Sequence, residues 1–122
     1  MALVRWASLK ASCWRAGLAC AAVCFHTSVA QAQNPSFDCQ KARYPDEFVI
    51  CQTPELAELD NIIADGYSYL RGRFGRPYAD QVGIPFWRLR QACQYDTSCI
   101  RQVQVQAINA YQVAGLSEAQ RA

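Results

Sequence analysis

Four cysteines in two close pairs constrain this chain more than any other feature. Cys39 and Cys51 have eleven residues between them, and Cys93 and Cys99 have five. A zinc site would ask for tighter spacing, typically two to four residues within each pair. An even set in a short chain reads instead as two disulfides, which form in oxidising compartments. We expect the local pairing, Cys39–Cys51 with Cys93–Cys99, while four cysteines also allow two other connectivities. By loop-closure entropy each local bridge adds about 2.5–3 kcal/mol. That is a large share of the roughly 5–15 kcal/mol that holds a typical domain together.

The other three of the seven cysteines, Cys13, Cys20 and Cys24, fall in a segment that reads as an export leader. Arg5, Lys10 and Arg15 make a basic start without acids, Ala16–Phe25 is apolar, and Ala30-Gln31-Ala32 ends the run with small residues. This is the charged, apolar and A-x-A order of a secretory signal. The apolar run between Arg15 and His26 is shorter than the ~20 residues a spanning helix needs. We expect cleavage after Ala32, with Ala30 the second choice, so that 1–32 is a signal peptide. The domain is then 33–122, with its core about 36–112. The mature chain carries no membrane span, and it works in the periplasm or outside the cell. The leader holds three of the twelve basic residues and none of the ten acidic ones, which leaves nine against ten, a net charge of −1. A chain so near neutrality lacks the surplus of cations that phosphate backbones require, so no nucleic-acid partner is expected.

The periodicity of the rest is helical. Pro45 suits the first position of a short helix, with Asp46 and Glu47 at its positive end. Thr53-Pro54-Glu55 is a clearer start signal. Leu56, Leu59, Ile62, Ile63, Tyr67 and Leu70 then form one apolar stripe, with Glu55, Glu58, Asp60 and Asp65 mostly off it. Gly72, Gly75 and Pro77 should end that helix. Arg71–Pro85 reads as a Gly/Pro-rich connector, and a short helix resumes over Phe86–Cys93. Asp96 or Thr97 can cap a last helix with the stripe Ile100, Val103, Ala107, Ile108 and Tyr111, stopping near Gly115 before a loose tail. The expected fold is all-α: a small disulfide-stapled helical hairpin or three-helix domain.

Catalytic residues are not apparent. The one histidine, His26, lies in the leader, so the mature domain lacks the commonest general base and metal ligand. Paired cysteines are inert, and no phosphate-binding glycine loop is present. We therefore expect no enzyme activity, no metal and no cofactor. Aromatic Phe37, Tyr44, Phe48 and Trp87 are expected in the core of a small domain. Asp38 is expected to accept a local turn bond. The stretch best suited to binding is Arg71–Tyr78, where Arg71, Arg73 and Arg76 alternate with Phe74 and Tyr78. Arginine and tyrosine are favoured interface anchors. The alternative is that the arginines are merely solvated and Phe74 plugs the hairpin.

The stretch SFDCQKARYPDEFVICQTPELAELD (36–60) resembles the opening of the lysozyme-inhibitor LprI family. Members of that family read S-F-D-C-x-K-A, a short acidic segment ending in I-C, then a P-E-L-x-x-L-D helix. The matching residues are Ser36, Phe37, Asp38, Cys39, Lys41, Ala42, Ile50, Cys51, Pro54, Glu55, Leu56, Leu59 and Asp60. A later family pattern, an aromatic and R-x-R-x-A-C followed by a second cysteine and a helix with a tyrosine, matches Phe86, Arg88, Arg90, Ala92, Cys93, Cys99 and Tyr111. The family usually carries a Trp-Leu pair before the arginines, where this chain has Phe86-Trp87. The resemblance implies an exported protein partner of a lysozyme-type glycan hydrolase. It adds Arg88 and Arg90 to the candidate binding residues, unless they pair with acids on a neighbouring helix. A lysozyme cleft holds two catalytic carboxylates, which a guanidinium can engage through paired hydrogen bonds. The alternative is a stapled envelope accessory module that binds a different protein.

Overall fold

The computed structural model describes residues 34–121, all of the regular structure in which is helical. The expected leader, 1–32, lies outside the described residues. A single 3-10 turn, Cys39–Lys41, precedes α1 (Pro45–Gln52), α2 (Pro54–Phe74), α3 (Arg76–Ala92) and α4 (Thr97–Arg121). None of these helices is long and apolar enough to cross a membrane.

Each boundary has a local cause. Glu47 reaches back from the first turn of α1, its Oε2 accepting from the Tyr44 N–H at 3.2 Å and the Arg43 N–H at 2.6 Å. This satisfies donors that a helix start leaves unpaired. Thr53 closes α1 and opens α2, with Pro54 in the first position, where its missing N–H is harmless. Gly75 separates α2 from α3 by one residue, at φ 95° and ψ 159°. Side chains bearing a Cβ essentially do not adopt that region. Asp96 caps α4, its Oδ1 accepting from the Cys99 N–H at 3.0 Å.

Two expectations are corrected here. The segment 71–85 is not a connector: α2 runs to Phe74 and α3 already begins at Arg76. Pro85 sits inside α3, where it removes one backbone bond at a cost of about 3 kcal/mol. Val82 and Phe86 flank it and both pack against buried residues, so tertiary contact carries the helix through. Nor does Gly115 stop α4, which continues to Arg121.

The bundle runs up, down and up. Leu56 of α2 lies against Gln104 of α4, and Gly66 lies against Tyr111, so these two helices are parallel. A methyl group on Gly66 would come within 3.1 Å of Tyr111 Cβ, so the missing side chain sets how closely α2 and α4 cross. Tyr78 of α3 reaches the Ala114 carbonyl and Arg90 reaches Asp60, which makes α3 antiparallel to both neighbours.

The core has two parts. Ile50, Leu56, Ala57, Cys93, Ile100 and Val103 form one at the disulfide end. Leu70, Ala79, Ala107, Tyr111 and Ala114 form the other, toward the α2–α3 turn, and Phe86 packs against both. Each fully buried Leu or Ile contributes about 1.5–3 kcal/mol. The two bridges are Cys39–Cys51, which ties the N-terminal turn to α1, and Cys93–Cys99, which clamps the α3–α4 turn. The local pairing is therefore the one formed. Asp38 Oδ1 accepts from the Gln40 N–H at 3.0 Å, the expected local turn bond. Of the four aromatics expected inside, only Phe37 packs on the core. Tyr44, Phe48 and Trp87 are more than two-fifths exposed, and Tyr44 meets Trp87 edge-on at 6.4 Å on the surface.

Candidate functional site

The α2–α3 turn is the tip of a helical hairpin. Arg71 and Arg73 lie in the last turn of α2 and Arg76 opens α3, so all three surround Gly75. All three are exposed. Arg76 is drawn toward Asp80 at 3.5 Å, one helical turn on, yet its side chain remains 74% exposed. Such a pair is loose and worth little to the fold. Arg71 and Arg73 form no ion pair among the described residues.

The base of the tip is stiff. Phe74 and Tyr78 pack against the tip-side core. Phe74 stands edge-on to Tyr78 at 5.7 Å and to Tyr69 at 6.4 Å. The Tyr78 hydroxyl donates to the Ala114 carbonyl at 3.3 Å, which fastens the start of α3 to α4. Behind this, the Tyr67 hydroxyl donates to Asp80 Oδ1 at 2.7 Å, and that bond holds the Tyr67 phenol above its ordinary value. The hairpin end is thus a convex, cationic projection on an aromatic base. Phe74 does plug the hairpin, and the guanidinium groups remain free to reach outward.

The remaining two arginines part company. Arg88 is exposed on α3. Arg90 is held inside, its Nε donating to Asp46 Oδ2 at 2.7 Å and its Nη1 to Asp60 Oδ1 at 3.1 Å. Asp46 is fully buried and Asp60 nearly so. Asp60 Oδ2 also accepts from the Ser36 hydroxyl at 2.5 Å and the Ser36 N–H at 2.8 Å. One guanidinium therefore joins α1, α2 and α3, and Ser36 draws the N-terminal segment onto the same carboxylate. Asp60 does not lie on a solvated face as its surroundings in sequence suggest. Breaking such a pair strands a buried charge at about 3–5 kcal/mol. Arg90 is committed to holding the helices together and is not available to a partner.

No protein-family model, curated protein or solved structure matches this chain. What the site can do must follow from its own chemistry. Among the described residues no three His, Cys, Asp or Glu side chains converge to hold a metal ion. The features sequence reasoning passed over are buried polar groups. Asp60 follows Leu56 by four and precedes Ile63 by three, Arg90 stands in the same register between Phe86 and Cys93, and Gln104 between Ile100 and Ala107. A polar residue at a core position of a helical stripe was the signal available.

Proposed function

We propose that this is an exported cell-envelope binding protein, not an enzyme, and that it inhibits a lysozyme-type glycan hydrolase by inserting its α2–α3 tip into the active-site cleft. The observation that carries this reading is the exposure of Arg71, Arg73 and Arg76 around a one-residue turn on a fixed aromatic base. A convex cationic tip complements a concave cleft that holds two carboxylates. A bidentate guanidinium–carboxylate pair, made with water excluded, supplies orientation and strength together. Exposed Tyr69 beside the tip can lie against a sugar subsite. The likeness of residues 36–60 to the LprI family supports the same partner. Two formed disulfides and helices too polar to span a bilayer suit an exported chain.

The test is turnover of cell-wall substrate by c-type and g-type lysozymes with excess protein, beside Arg73→Ala and Arg76→Ala. Slowing that the substitutions relieve supports the reading, and unaltered turnover with both lysozymes removes it.

A second reading, an accessory module bound to another envelope protein, is favoured by a different surface. Ile62, Tyr69 and Leu116 are exposed along an apolar groove between α2 and α4, floored by Gly66 and Gly115. A reproducible partner other than a lysozyme, recovered from envelope extract and lost on Leu116→Glu, would decide for it.

A further inference from the structure

A second groove lies between α2 and α3, with α4 as its floor, and encloses about 400 Å³. Small-molecule sites commonly occupy about 300–1,000 Å³. Tyr67, bonded to Asp80, lines the groove toward the tip, and the bonded set Ser36, Asp60 and Arg90 lines the other end. Between them the walls are apolar: Ile63 and Ala64 of α2, Phe86 and Trp87 of α3. None of Arg71, Arg73 and Arg76 lines the groove, so this site is separate from the tip.

Two polar groups on the floor are left without partners. Tyr111 is only 7% exposed as a residue, and its hydroxyl, which is not among the fully buried unpartnered atoms, makes no side-chain hydrogen bond among the described residues. The hydroxyl lies against Gly83, where a methyl group would collide with it. The absent side chain therefore makes room for the phenol hydroxyl against α3. Burial holds that phenol above its ordinary value, so it stays neutral and able to donate. Gln104 is fully buried, and its Nε2 donates to the Leu56 carbonyl at 3.0 Å, which leaves Oε1 unpartnered. Buried polar groups ordinarily find a partner.

The carboxylates that line or adjoin the groove are already engaged, Asp60 by Arg90 and by Ser36, and Asp80 by the Tyr67 hydroxyl and more loosely by Arg76. An ion entering here would lose its water and meet only charges that already have partners. We propose that the α2–α3 groove binds a small uncharged aromatic molecule bearing one hydroxyl or N–H, of the phenol class. The ring fills the apolar space between Ala64 and Phe86, with Trp87 at the rim. Its polar substituent meets the Tyr111 hydroxyl.

The experiment is an NMR titration of the full chain with p-cresol, benzoate and benzylamine, following the Gly83 amide and the Trp87 indole. We expect p-cresol to shift both signals and to bind at least about tenfold tighter than either ion. Tyr111→Phe should weaken p-cresol about tenfold by deleting one hydrogen bond. Ala64→Leu, which fills the groove without touching that hydroxyl, should abolish binding while circular dichroism stays helical. The proposal is overturned if p-cresol leaves both signals in place up to about 10 mM. It is equally overturned if an ion binds as well as p-cresol does, or if both substitutions leave binding unchanged. N-acetyl-tyrosine amide binding more than tenfold tighter than p-cresol would overturn it in favour of a tyrosine presented by a protein.

Discussion

Arg90 donates to Asp46 at 2.7 Å, and Asp46, forty-four positions earlier in the chain, has no solvent-exposed surface. A second bond from the same guanidinium reaches Asp60. Arg90→Met should therefore lower stability by about 3–5 kcal/mol, read from urea denaturation, because two carboxylates lose their only cation. Adding Asp46→Asn should recover part of the loss, since one stranded charge disappears. A cost below about 1 kcal/mol for Arg90→Met would mean that the cluster is solvated in solution.

Gly75 holds the tip in a conformation reserved for glycine. Gly75→Ala should cost about 1–3 kcal/mol. It should also blunt any activity of the tip, because Arg73 and Arg76 flank the changed residue. Equal stability of the two proteins would show that the turn relaxes without cost.

At the opposite end, Arg101 of α4 grips Glu55 of α2 through two bonds of 2.7 and 2.8 Å. The Arg101 guanidinium holds the Glu55 carboxyl below its ordinary value of 4.5. A carboxyl depressed in the folded state binds fewer protons there than in the unfolded chain, so stability rises with pH across that range. The contribution is present above pH 4.5 and is lost as pH falls through the lowered value. Denaturation of wild type and Glu55→Gln from pH 2 to 7 should show curves that separate above pH 4.5 and converge in acid. Because both side chains are exposed, the gap should also shrink in high salt. A gap that persists at pH 2 would place the effect elsewhere.

Much of this architecture is written locally and some of it is not. Thr53-Pro54-Glu55 announces α2 because capping and first-turn preferences act within a few residues. The spacing of the cysteines favoured the local pairing but left two other connectivities open, and the structure decides between them. Pro85 misleads, since the contacts that carry α3 through it come from α2 and α4. The tip arginines were legible as a cluster, although the connector proved to be two helices meeting at Gly75. Asp60 looked solvent-facing because its partner Arg90 lies thirty positions away, and pairings at that distance leave no local trace. Tyr44 and Trp87 were expected inside on composition alone. Their exposure depends on where the helices place them, which composition does not encode.

Gly66 faces Tyr111 at the α2–α4 crossing. Gly66→Leu should destabilise the bundle by about 1–3 kcal/mol through overpacking, despite the better helix propensity of leucine. A stabilised variant would show that the crossing has room to widen.

The most direct test of the binding role is cell-wall hydrolysis by a c-type and a g-type lysozyme at rising concentrations of the protein, beside an Arg73→Ala, Arg76→Ala double variant. We expect dose-dependent slowing of at least one enzyme and, for the double variant, a loss of potency of about tenfold or more with unchanged helical content. Undiminished hydrolysis by both enzymes, or a double variant as potent as wild type, would contradict an inhibitory tip.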